Sequence, residues 1–186
     1  MQRFITLAFN TLLLLSLNAA TPETHYTVIV SLDGFRWDYP DMYKTPNLDR
    51  MAADGVKAVM LPSYPASTFP NHYTLATGLV PDHHGIINNT FWDVKNRRQY
   101  SMGDSATRNN PEYYLGEPIW ITAQKQGVKT GNMYWVGSDI AIKKSHPTYY
   151  RPWNAKPFLT FEQRIDTVLT WLQKPEPERP RLIMLY

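Results

Sequence analysis

The chain has 186 residues, 43% of them hydrophobic and 19% charged, a composition that excludes a disordered tail, a collagen-like repeat and a coiled coil and fits one globular domain. Nineteen Lys and Arg against 16 Asp and Glu leave a net charge of +3, and basic clusters as small as Lys95 to Arg98 and Lys143-Lys144 do not make a phosphate-tracking stripe, so specific nucleic-acid binding is not expected. There is no cysteine, which excludes disulfides, thiolate zinc sites and a cysteine nucleophile and leaves oxygen and imidazole as metal ligands.

Residues 1–20 have the shape of a signal peptide. One Arg precedes an apolar stretch from Phe4 to Leu17, and small residues follow. The stretch is short for a bilayer span, so the expectation is an exported protein, periplasmic or extracellular, with no membrane span once the leader is removed. Residues 26–32 (YTVIVSL) read as a buried strand with Asp33-Gly34 at its carboxyl end. Thr45-Pro46-Asn47 opens a helix that Gly55 stops, and residues 56–61 return to strand character, closing a β-α-β unit. Thr68-Phe69-Pro70 opens a second helix running to Gly78. The polar, aromatic stretch 85–116 reads as a long surface loop. A helix over 117–126, a strand over 129–135, an irregular segment over 138–156, an amphipathic helix over 161–172 and a last strand over 182–186 complete the pattern. Strands alternating with helices predict an α/β fold with a mostly parallel sheet and ligands at the strands' carboxyl ends.

Taken singly, the chemical candidates each have an ordinary alternative. Asp33 is a cation ligand at the sheet's active edge or a turn residue. Thr68 is a nucleophile among the free N–H groups of a helix start or a plain N-cap. Asp82-His83-His84 offers one oxygen and two imidazoles, although adjacent side chains seldom converge on one ion. Asn88-Asn89 supplies an amide donor to a developing oxyanion or an Asx turn. Trp120, Trp135, Tyr149, Tyr150 and Trp153 stack on a ligand or pack the core.

Read together, the segments VIVSLDGFRWD, TPNLDRMAADG, TFPNHYTLATGLVPDHHGIINNTFWD, EPIWITAQKQG and MYWVGSD closely resemble the nucleotide pyrophosphatase/phosphodiesterase family of the alkaline phosphatase superfamily. The resemblance covers residues 26–186, and TFPNHYTL with GLVPDHHGI is its most specific part. It implies an alkaline-phosphatase-like three-layer α/β/α fold, incomplete in this chain, with 21–186 as the N-terminal part of a phosphodiesterase catalytic domain. It also implies a two-zinc hydrolase that cleaves phosphodiester or pyrophosphate bonds of small-molecule nucleotides and releases nucleoside 5'-monophosphate. In that pattern Asp33 and Thr68 are metal ligands, and Thr68 is also the nucleophile that forms a phosphothreonine. Asn89 donates to a nonbridging phosphate oxygen, while Phe69 and Tyr186 lie on either side of the base. His83 and His84 are not ligands in the family.

The family's remaining ligands, an Asp and a His shortly after the strand ending at Tyr186, a further Asp-His pair and a last His, have no counterpart in this sequence. The chain by itself is therefore expected not to hold both zinc ions and to be inactive alone. A sulfatase is disfavoured because Ser63-Tyr64-Pro65-Ala66-Ser67 lacks the required Arg. A phosphomonoesterase, a choline-lipid phosphodiesterase and a truncated noncatalytic protein are the remaining alternatives.

Overall fold

The structure is a computed structural model that describes residues 24–186; the leader assigned to 1–20 lies outside the described residues. Four short strands form one sheet. They are β1 (Thr27–Val30), β4 (Thr130–Met133), β5 (Tyr149–Arg151) and β6 (Leu182–Leu185), in the order β1-β6-β4-β5 with every neighbour parallel. A separate antiparallel hairpin joins β2 (Thr90–Asp93) to β3 (Arg98–Ser101).

Helices lie on both faces of the sheet at β6, as side-chain alternation along that strand requires. Ile183 packs with Met133, Tyr134, Val168 and Trp171 on one side, where α7 (Phe161–Leu172) lies. Met184 packs with Phe69, Tyr73, Trp120 and Trp135 on the other, where α3 (Thr68–Thr77) and α6 (Ile119–Lys125) lie. This is the expected three-layer α/β/α arrangement. Local sequence explains where the helices begin and end. Thr160 and Gln163 form a reciprocal capping box at the start of α7, and Gly78, at φ +69°, turns the chain out of α3. Gly131 in β4 leaves room for the Trp171 ring, which a Cβ there would meet at 2.8 Å.

Several expected elements differ. The helix over Pro46–Asp54 forms as α2, preceded by a single turn, α1 (Tyr39–Met42). Residues 56–61, however, form no strand, so the β-α-β unit does not close. Val56 and Leu61 are 93% and 87% exposed, and no described strand lies alongside to take their backbone hydrogen bonds. The segment 85–116 is not a loop throughout. It holds the β2–β3 hairpin, the turn α5 (Ser105–Arg108) and a 3-10 turn over Pro111–Tyr113, and a further turn, α4 (Pro81–His84), precedes it. The hairpin is closed by Asn96, whose backbone and side-chain N–H groups both donate to Asp93, and by Phe91 stacked on Tyr100 at 4.6 Å. The segment 138–156 supplies β5, which the short Tyr-Tyr-Arg run does not announce.

Candidate active site

In a parallel sheet every strand delivers its carboxyl end to the same edge, and that edge is where unlike side chains can meet. Asp33 follows β1, Tyr186 follows β6, Trp135 follows β4 and Trp153 follows β5. The first turn of α3 brings Thr68 to the same edge. Thr68 Oγ1 donates to Asp33 Oδ2 at 3.0 Å, and the Tyr186 hydroxyl donates to the same oxygen at 2.9 Å. One carboxylate thus gathers two hydroxyls from distant parts of the chain. Burial first, then the Asp33 carboxylate, push the Tyr186 phenol up to about 12, so it remains an O–H donor across the neutral range.

Asn89 stands on the other side of Thr68. Its Oδ1 accepts the Phe69 N–H at 2.9 Å, and its own N–H donates to Asn88 Oδ1 at 2.8 Å. With Oδ1 engaged, the amide end that can still donate is Nδ2. Phe69 itself is only 1% exposed, with Trp153 set edge-on to it at 5.0 Å. Trp153 is in turn 4.9 Å from the Tyr186 ring, and both are half-buried. The aromatic surface at this edge is therefore Trp153 and Tyr186, with Phe69 forming the floor beneath. Trp153 is held by its N–H to Asp139 Oδ2 at 3.1 Å, a carboxyl that burial lifts above the usual range.

Beneath the Asp33–Thr68 pair lies His72, 4% exposed. Its Nδ1 is 2.7 Å from the Thr68 carbonyl oxygen and its Nε2 is 2.7 Å from Ser31 Oγ. Trp135 Nε1 donates to the His72 carbonyl at 3.2 Å. Sequence reasoning passed over His72 and Ser31, although the four-residue spacing from Thr68 to His72 puts both on one face of a helix. Asn71 fixes the entry to α3 from the other side. It accepts Ser63 N–H at 2.8 Å and donates to the Pro65 and Ser67 carbonyls.

The Asp82-His83-His84 cluster does not converge. His84 is buried, with Nδ1 accepting Ile86 N–H at 3.2 Å and Nε2 2.9 Å from Thr74 Oγ1, while Asp82 and His83 are exposed. Among the described residues no group of three or more His, Cys, Asp or Glu side chains is placed to hold a metal ion. No described helix is long and apolar enough to cross a membrane.

The family model for type I phosphodiesterase/nucleotide pyrophosphatase matches residues 27–186. The chain is 42% identical over 162 residues to ectonucleotide pyrophosphatase/phosphodiesterase family member 3 of Bos taurus, covering 86% of this chain and 18% of that protein. Against family member 1 of Homo sapiens it is 44% identical over 167 residues, covering 88% and 18%. It also superposes on the solved structure of murine ectonucleotide pyrophosphatase/phosphodiesterase 5 with a TM-score of 0.78 and 34% identity, covering 87% of this chain and 43% of that one. The same murine protein is known as an inactive threonine-to-alanine variant in complex with AMP, which matches with 33% identity and a TM-score of 0.78 over 87% of this chain and 42% of that one. The chain thus spans about a fifth of the length of the curated relatives it matches and, matched along 27–186, belongs to the type I phosphodiesterase/nucleotide pyrophosphatase family.

Proposed function

We propose that the protein carrying this chain is a metal-dependent hydrolase that cleaves phosphodiester or pyrophosphate bonds of nucleotides through Thr68 and releases nucleoside 5'-monophosphate. The observation that carries the reading is the 3.0 Å pairing of the Thr68 hydroxyl with Asp33 at the sheet's carboxyl edge. Asp33 Oδ2 draws the hydroxyl proton to one side and leaves an oxygen lone pair free to approach phosphorus. The bond from Thr68 Oγ1 to phosphorus forms as the bond to the leaving oxygen breaks, and water then cleaves the phosphothreonine. The Nδ2 group of Asn89 donates to a nonbridging oxygen, where negative charge grows in the transition state. Trp153 and Tyr186 offer an aromatic wall for the base, with Phe69 supporting it from below. That a relative with a threonine replaced by alanine is inactive and binds AMP supports both the nucleophile and the nucleotide.

The donor chemistry fits part of a zinc site. Asp33 and Thr68 present two oxygen donors from β1 and α3, and a catalytic zinc takes about three protein ligands. They would hold one ion in part, and the rest of a two-zinc centre calls for donors beyond the described residues. Zinc bound there would lower the pKa of the Thr68 hydroxyl. Among the described residues the outer edge of β1 is unpaired and residues 56–61 are exposed, which supports the reading that 21–186 is the N-terminal part of a larger catalytic domain. Relatives named as ectonucleotide enzymes support export to the periplasm or the extracellular space.

The test is hydrolysis of a nitrophenyl nucleoside-5'-phosphate diester by the intact protein and its Thr68→Ala variant, with bound zinc measured in both. Turnover that Thr68→Ala reduces by about 10³-fold or more, the scale seen when one member of a nucleophilic unit is removed, supports the reading. Activity surviving within a few-fold in the variant overturns the nucleophile.

A further inference from the structure

We propose that His72 is a positioning residue that sets the spacing of Thr68 and Asp33 by tying the first turn of α3 to Ser31, with a proton on Nδ1 donated to the Thr68 carbonyl. The inference rests on the reading of Thr68 as nucleophile and adds to it a residue that touches no substrate.

The proton on Nδ1 follows from its partner. The Thr68 carbonyl oxygen can only accept, so at 2.7 Å His72 Nδ1 carries the proton. At the other end of the ring Nε2 lies 2.7 Å from the Ser31 hydroxyl oxygen, which completes the tie. The ring cannot rotate to exchange these roles. Its faces and edges are confined by Trp135 at 5.3 Å and Tyr186 at 5.0 Å, both edge-to-face, and its own backbone carbonyl is held by Trp135 Nε1.

Ser31 stands two residues before Asp33, and Thr68 is one helical turn before His72. The imidazole is thus a rigid spacer between the end of β1 and the start of α3, across which the reacting hydroxyl must meet its carboxylate. No covalent bond or strand pairing joins these two elements near the site. β1 pairs with β6 only, among the described residues. Without the tie, the side-chain hydrogen bond left between Thr68 and Asp33 is their own exposed one, the contact that must rearrange when substrate arrives. Misplacement of about 1 Å at a reacting group can cost about 10²-fold in rate.

The intact protein is compared with its Ser31→Ala, His72→Asn and double variants on the nitrophenyl diester. Asn at position 72 places its NH2 near the Nδ1 position, keeping the Thr68 bond but falling short of Ser31, so both single changes cut the same link. The expected result is a kcat reduced about 10- to 100-fold in each, KM within about 3-fold, and a double variant no worse than the poorer single one. Long-range proton–nitrogen spectra of wild type should show His72 protonated at Nδ1. Additive losses, a Ser31→Ala kcat within about 2-fold of wild type, or an Nδ1 without its proton overturns the proposal. A lower melting temperature with unchanged kcat also overturns it, since a merely structural contact would behave that way. Should Thr68→Ala retain activity, it is the nucleophile reading that fails, whatever tautomer the spectra report.

Discussion

In the proposed reaction the two ends of the Asn89 amide have separate tasks, and a one-atom change separates them. Oδ1 accepts the Phe69 N–H, which leaves Nδ2 as the donor. Asn89→Asp keeps an acceptor for Phe69 but places a carboxylate oxygen where the donor stood, facing an anionic phosphate. It should lower kcat at least as far as loss of an oxyanion donor does, about 10²- to 10³-fold or about 2.7–4 kcal/mol, measured as kcat on the nitrophenyl diester with circular dichroism to confirm the fold. A rate within a few-fold of wild type would sink the donor role. His84 shows the opposite use of an imidazole. Desolvation by burial lowers its pKa from 6.5 to about 4, so the folded state refuses a proton that the unfolded chain accepts. The stabilisation is complete above pH 6.5 and is lost as pH falls through about 4, on the order of 3 kcal/mol over that window. Urea melts of the intact protein between pH 7 and 4 should show this loss. His84→Asn, which still offers Oδ1 to Ile86 N–H, should flatten it.

At the level of elements, β4 and α7 are held together by the absence of a side chain. A Cβ on Gly131 would stand 2.8 Å and 3.1 Å from two atoms of the Trp171 ring, and Trp171 is packed against Tyr149 and Ile183. Gly131→Ala should therefore destabilise the protein by about 1–3 kcal/mol, the usual cost of overpacking, read from the denaturation midpoint. An unchanged midpoint would mean that α7 shifts freely. Such contacts explain which elements were legible in the sequence. α3 and α7 were, because Pro70 and Gly78 bracket one and the other is amphipathic over 161–172. β1 and β6 were, because TVIV and LIML are short apolar runs, and β4 lies within the strand expected over 129–135. The three-residue β5 and the hairpin were not, since tertiary partners select them: β5 is paired by β4, and the hairpin is packed by Tyr100 and Phe91 against Tyr113. Residues 56–61 carry strand propensity that found no neighbour. The site divides in the same way. Asp33, Thr68 and Asn89 entered the candidate site through motif resemblance, and hydrogen bonds through Thr68 and Phe69 bring them to one edge. Ser31 and His72 carry no local signal that separates a spacer from a core contact, and the burial of Phe69 beneath Trp153 depends on the loop after β5.

The whole molecule is unevenly finished, and the unevenness has a consequence in solution. α7 covers β4 and β6 but not β1. Register pairs Val28 with Ile183 and Val30 with Leu185, so these valines share the α7 face, yet they are 46% and 56% exposed. The backbone of β1 is unpaired on its outer side among the described residues, and residues 56–61 add Val59, Met60 and Leu61 to the exposed apolar surface. A parallel sheet is ordinarily covered on both faces, and an open apolar edge invites pairing with another chain. Residues 24–186 produced alone should therefore associate with rising concentration and bind a hydrophobic dye, followed by sedimentation velocity and dye fluorescence. Val28→Lys with Val30→Lys should shift that segment toward monomer, because charge on an exposed edge opposes stacking. In the intact protein the same pair should instead lower the melting temperature, because there the rest of the proposed catalytic domain would lie against these valines. A segment that stays monomeric and dye-free, or an intact protein indifferent to both lysines, would show that the β1 face needs no cover, and the reading of 21–186 as part of a larger catalytic domain would lose its structural support.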